Sequence, residues 1–167
     1  MTSLNIDKLY SKFGDIRKSL ERLRLFRDIS LDEFLNDKDK QDIAGFRLIV
    51  ATEAAIDTCL HVAVKILKEV PEEYAGCFQL LGDHNLIERE LALRLVKMAR
   101  FRNLLVHRYW EIDYSRMYKI ITGPDLDDLE EFIIQINRLK QARADQPMDG
   151  DLKGLQKGEN RNEYGDY

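Results

Sequence analysis

Between residues 40 and 69 the chain carries Phe46, Ile49, Val50, Ala54, Ile56, Leu60, Val64 and Leu67 with no turn residue among them but Gly45. Side chains three and four apart share one face of an α-helix, so this spacing predicts one long helix ended by Pro71. Ala44, Gly45, Ala51, Ala54, Ala55 and Ala63 interrupt the large side chains and let neighbouring helices approach closely. A helix of that length and apolarity must be covered by other elements, and the rest of the chain supplies helices. Residues 4–27 place Ile6, Leu9, Phe13, Ile16, Leu20, Leu23 and Phe26 on one stripe. Ser30-x-x-Glu33 has the form of a capping box and opens a short helix through about Asn36, with the polar cluster Asn36–Lys40 as a link. A short helix over 73–81 is expected to end at Gly82. Asn85-x-x-Glu88 reads as a second capping box, opening a helix through Leu91, Leu95, Met98, Phe101 and Leu105. Asp113 is placed to cap a helix through Ile121. Gly123-Pro124-Asp125 then starts the last one, with Leu126, Leu129, Phe132, Ile133 and Ile136 inward.

No segment alternates apolar and polar residues as a strand would, and there is no internal repeat. The fold class expected is all-α: one helical domain over residues 1–141, followed by a polar, flexible tail over 142–167 in which Tyr164 and Tyr167 are bystanders. At 167 residues one domain buries a core without metal or disulfide staples. The two cysteines, Cys59 and Cys77, sit in apolar helical patterns without redox or zinc spacing, so they read as reduced core thiols. No apolar run reaches membrane-spanning length and the N-terminus is polar, from which a cytoplasmic protein with no membrane partner is expected.

A net charge of −4 argues against a general nucleic-acid coat, since such binding rests on neutralising many phosphates. The charge is uneven, however. Residues 94–108 hold Arg94, Lys97, Arg100, Arg102 and Arg108 and no acid. That is either a confined anion site or a solvated helix face.

Within this basic run lies Arg102-Asn103-Leu104-Leu105-Val106-His107-Arg108-Tyr109-Trp110, with the spacing R-x4-H-x-Y. On one continuous helix Arg102 and Tyr109 return to nearly the same face, and Asn103 and His107 stack on an adjacent strip. Arginine is a preformed bidentate partner for phosphate. Histidine gives and takes a proton near neutral pH. The plainer reading is an exposed arginine, a histidine favoured by the helix C-terminus, and a Tyr-Trp pair packed in the core. A second polar strip, Glu53, Asp57 and His61 at i, i+4 and i+8, allows either a metal site or hydrogen bonds beside the motif.

The string R-N-L-L-V-H-R-Y-W-E-I-D resembles the signature of the HEPN superfamily in its HepT-like branch. The segment Thr52–His61 resembles the pattern of that family's second helix, and residues 4–138 look like the whole domain. The resemblance implies an antiparallel helical bundle of four main helices plus short ones, dimerising around a shared cleft. It implies a toxin of a toxin–antitoxin pair that cuts RNA without a metal or other cofactor, with Arg102 and His107 catalytic. Asn103, Arg100, Lys97 and Arg108 then support RNA binding. It also implies an MntA-like nucleotidyltransferase antitoxin that attaches AMP to Tyr109. Two other readings stay open: a non-catalytic, nucleotide-binding partner of a nucleotidyltransferase, and a dimerisation module without a site. The last would be favoured if the basic run were dispersed rather than gathered in one cleft.

Overall fold

The computed structural model describes residues 4–144, and these contain no strand. Seven α-helices follow one another: α1 (Ile6–Arg24), α2 (Leu31–Asn36), α3 (Lys38–Val62), α4 (Tyr74–Asp83), α5 (Arg89–His107), α6 (Tyr114–Thr122) and α7 (Asp127–Ala144). The all-α bundle expected from the periodicity is therefore present, with α1, α3, α5 and α7 as its long members. The polar tail lies outside the described residues, apart from the last turn of α7, which runs past the boundary expected at 141. No helix among the described residues is long and apolar enough to cross a membrane.

The long helix α3 forms the centre, with α1 against one side and α4, α5, α6 and α7 around the rest. Its small residues are what allow this: Ala44, Ala51 and Ala55 are completely buried, as is Ala63 just beyond its end. Phe13, Phe34, Phe78 and Phe132 fill the space between helices, each with almost no exposed surface. Burying side chains of this size contributes roughly 1.5–3 kcal/mol apiece. Phe78 and Phe132 meet edge to face at 5.5 Å, joining α4 to α7. All five residues expected inward on the last helix are buried. Phe46 and Val64 of the long apolar pattern instead remain exposed.

Local chemistry sets most helix starts. Ser30 Oγ accepts from the Glu33 amide at 3.1 Å and Asp113 Oδ1 accepts from the Ser115 and Arg116 amides at 2.9 and 3.1 Å. Asp37 caps α3 through the Lys40 amide at 3.0 Å, so the polar link shrinks to that one residue. Three boundaries differ from expectation. The regular turns of α3 end at Val62, and a wider π-helical turn over Ala63–Leu67 leads to Lys68, whose left-handed backbone (φ 62°) stops the helix before Pro71. Gly82 is no cap: α4 runs through it to Asp83, and an added Cβ there would stand 2.7 Å from the Ala92 Cβ. Its hydrogen is needed for the close crossing of α4 and α5. Asn85 adopts φ 54° to turn between those helices, which takes it away from the first turn of α5, and Glu88 makes no side-chain cap. The second capping box does not form.

Cys59 and Cys77 are free and buried, in keeping with reduced core thiols. Burial, with the Cys77 thiol beside it, holds the Cys59 thiol well above the usual thiol range.

Candidate active site at the end of α5

The last two turns of α5 carry the motif. The helix stops at His107 because Arg108 leaves the helical region (φ −136°, ψ 43°), and Tyr109–Glu111 form a separate 3-10 turn. Arg102 and Tyr109 are therefore not stacked on one helix as the spacing alone suggests. Arg102, Asn103 and His107 keep their helical relation, whereas Tyr109 is carried outwards.

Arg102 is held from two sides. Its guanidinium forms an ion pair with Glu53 of α3 and donates from Nη1 to Asn103 Oδ1 at 3.0 Å. The Arg102 side chain is only 15% exposed. Beyond this ion pair, buried Glu53 Oε1 and Arg102 Nε meet no hydrogen-bond partner among the described residues. Five N–H donors belong to a guanidinium, so Arg102 retains unused donor capacity while its position is fixed.

His107 is exposed and, with Arg100, Arg102, Asn103 and Arg108, lines one side of a groove of about 690 Å³. Glu72, Glu73 and Tyr74, at the entry to α4, face them. Arg108 is already paired with Glu111, at 2.6 Å, so its charge is partly spent within its own turn. Lys97 is elsewhere: it lines a neighbouring cavity of about 350 Å³ that also reaches Arg102. The basic run thus divides between two adjacent depressions with Arg102 common to both. Arg94 lines the second and is bound by Asp128 at 2.9 Å.

Tyr109 and Trp110 are 67% and 68% exposed and pack edge to face at 5.2 Å. The core-packed reading of this pair is overturned. Tyr109 lines neither depression.

The polar strip on α3 disperses to three partners. Glu53 takes Arg102, Asp57 takes Lys12 at 2.6 Å, and His61 Nε2 accepts from the Asn5 amide at 2.9 Å, at the entry to α1. Among the described residues no group of three or more His, Cys, Asp or Glu is placed to hold a metal ion. Burial, then the charges of Lys8 and Lys65, lowers the His61 pKa from its ordinary value. Neutral imidazole is the form its acceptor role requires.

The sequence left Glu53 unassigned to a partner, although its place in the i, i+4 strip marked it. The facing residues Glu72–Tyr74, and Arg116 and Lys119 of α6 in the second depression, carried no sequence signal, since they reach the site only through the packing of α4 against α5 and of α6 against α3.

The chain is 30% identical over 128 residues to the mRNA nuclease HepT of Shewanella oneidensis, an alignment covering 76% of this chain and 94% of that one. It is 29% identical over 137 residues to the tRNA nuclease HepT of Aphanizomenon flos-aquae, covering 82% and 92%. Among solved structures, the tri-AMPylated Shewanella oneidensis HEPN toxin in complex with its MNT antitoxin superposes with a TM-score of 0.73 at 28% identity, over 79% of this chain and 98% of that one. The family model described as Ribonuclease HepT-like matches residues 16–136, which include Glu53, the whole motif and the helices that position them. On that match this chain belongs to the HepT-like ribonuclease family of HEPN proteins.

Proposed function

We propose that this protein is the toxin of a toxin–antitoxin pair and a metal-independent endoribonuclease. The observation that carries this reading is the open groove in which exposed His107 stands beside an arginine fixed by Glu53 and Asn103. RNA brings its own nucleophile. The 2′-oxygen attacks the adjacent phosphorus, the bond to the 5′-oxygen breaks, and a 2′,3′-cyclic phosphate and a free 5′-hydroxyl remain. His107 takes the 2′-hydroxyl proton or supplies one to the leaving oxygen, a contribution of roughly 10²–10⁴-fold. Arg102 stabilises the charge that gathers on the phosphorane oxygens. Asn103 orients Arg102, and Arg100 and Arg108 guide the strand. Names of relatives support the reaction class: two are nucleases of tRNA and of mRNA.

Cleavage of end-labelled RNA in EDTA tests this. Wild-type protein should cut and leave a cyclic phosphate, and His107→Ala should not cut. Activity that chelator abolishes, or equal cutting of DNA, contradicts the mechanism.

Assembly as a homodimer is part of the same proposal, because a two-fold axis near the motif would double the cations along one groove. Light scattering at micromolar concentration should give twice the chain mass. A monomer with full activity would refute the shared cleft.

Neutralisation is assigned to an MntA-like nucleotidyltransferase that transfers AMP to Tyr109. The exposure of Tyr109 supports this, since a phenol presented on a short turn is open to another enzyme's active site. So does the tri-AMPylated state of the related Shewanella toxin. The phenol oxygen attacks the α-phosphorus of ATP, pyrophosphate leaves, and the new phosphodiester brings charge and bulk beside the groove. With such an enzyme and ATP the intact mass should rise by one or more AMP units mapped to Tyr109, and Tyr109→Phe should resist silencing. Modification mapped to Tyr164 or Tyr167 would sink the assignment.

A further inference from the structure

The cavity on the other side of Arg102 has a composition that the cleavage chemistry does not use. Leu48, Met98, Leu105 and Ile120 give it apolar walls, contributed by α3, α5 and α6. Five cations line it against a single carboxylate, Asp125. Arg94 and Arg102 are matched by Asp128 and Glu53, but Lys97, Arg116 and Lys119 have no carboxylate partner among the described residues. The Arg116 guanidinium is nonetheless held in place, lying over the Phe101 ring with 5.3 Å to its centre. At about 350 Å³ the cavity falls within the range of small-molecule sites, roughly 300–1,000 Å³.

Apolar walls with a fixed, stacked guanidinium and two free ammonium groups match a flat heterocycle joined to a phosphate. A plain anion site would lack the walls, and a plain apolar pocket would lack the unmatched charge. We propose that this cavity is a nucleotide subsite: it takes the base of one nucleotide against Leu48, Met98, Ile120 and the Arg116 plane, and its phosphate on Lys97 and Lys119. Because Arg102 borders both depressions, a single RNA strand passing over it seats one phosphate at His107 and a neighbouring nucleotide in the cavity. The subsite then selects which base lies next to the cut. This assignment to RNA rests on the cleavage proposed above; the nucleotide chemistry of the cavity stands on its own lining.

The test uses the full chain with 13C-labelled methionine methyl groups, titrated with AMP, UMP, CMP, GMP and inorganic phosphate. The Met98 methyl signal should shift on addition of nucleoside monophosphate, with one base preferred, and phosphate alone should bind about tenfold more weakly or worse. The combined Lys97→Gln, Arg116→Gln, Lys119→Gln variant should lose affinity by about tenfold or more. His107→Ala should stay within about threefold of wild type. On an RNA substrate the triple variant should raise KM more than it lowers kcat and flatten the base preference at the cut. For RNA bound to His107→Ala, adding the three substitutions should lower the salt dependence by about 0.7 log units per log unit of salt for the one phosphate released. A Met98 signal silent to every nucleotide, or binding that survives the triple variant, overturns the proposal. So does a Met98 shift that follows protein concentration instead of nucleotide, because a second copy of the chain would then cover the cavity. If wild-type protein cuts no RNA while the nucleotide-dependent Met98 shift persists, the cleavage reading falls and the nucleotide site remains.

Discussion

Two polar patterns stand on the two helices that meet at the site. One is Glu53, Asp57 and His61 on α3; the other is Arg102, Asn103 and His107 on α5. Both repeat at helical spacing. They nevertheless end in opposite situations. The α3 strip is half-buried beside other elements, and each of its members is consumed by a different partner: Arg102, Lys12 and the Asn5 amide. The α5 pattern runs off the end of its helix, so its last member, His107, faces a groove instead of a neighbour. Spacing along one helix puts polar groups in line. Whether they converge on a ligand or spread among structural partners depends on what the adjacent helices bring.

Arg102 and His107 offer the largest way to break this comparison. Replacing either with alanine should abolish RNA cutting, a loss of roughly 10²–10⁴-fold for the proton-transfer group alone. Their stability effects should part company. His107 is exposed and makes no side-chain bond among the described residues, so His107→Ala should change unfolding free energy by no more than about 0.5 kcal/mol. Arg102→Ala strands the Glu53 carboxylate and should cost about 1–3 kcal/mol. Glu53→Gln combined with Arg102→Ala should recover part of that cost without recovering activity. Urea denaturation at constant slope measures both. Equal destabilisation by the two single variants would show that the motif is one structural unit, contrary to the contrast drawn here.

Within the α3 strip the effects should be smaller and of a different kind. The Lys12–Asp57 pair is partly solvated, and Asp57→Asn should cost only about 0.2–1 kcal/mol with cleavage intact. The aspartate holds Lys12 above the usual ammonium range, chiefly through their hydrogen bond. His61 should show itself by pH alone. Its pKa is lowered in the folded state, so the stability it contributes is present above the ordinary value of 6.5 and is lost as pH falls below it through the folded pKa. Thermal midpoints should therefore decline as pH falls below about 6.5, and His61→Gln should remove that component of the decline. A His61 variant with an unchanged pH profile would place the acid sensitivity elsewhere. Any loss of RNA cutting in Asp57→Asn would join the two patterns into one site.

Helix content was legible in the chain because apolar periodicity and side-chain caps are local. Ser30 and Asp113 cap helices by reaching two or three residues ahead, so the signal and the bond lie within the same few residues. The inward face of α7 follows from the same periodicity. Gly82 and Asn85 were harder. A glycine reads alike whether it ends a helix or lets another helix approach, and only the position of Ala92 distinguishes the two. Asn85-x-x-Glu88 has the composition of a capping box, yet joining α4 to α5 at their crossing requires a left-handed residue, and Asn85 serves there instead. The motif divides along the same line. Its residue types and the Arg102–His107 spacing belong to the chain itself, and they allow phosphate chemistry beside the plainer reading of an exposed arginine and a histidine at a helix end. The turn at Arg108 that presents Tyr109, the carboxylate that holds Arg102 and the cavity walled by α6 were settled by packing. A sequence specifies what each helix offers along its own surface; which offers meet depends on helices brought together from far apart in the chain, and there only the tertiary fold decides.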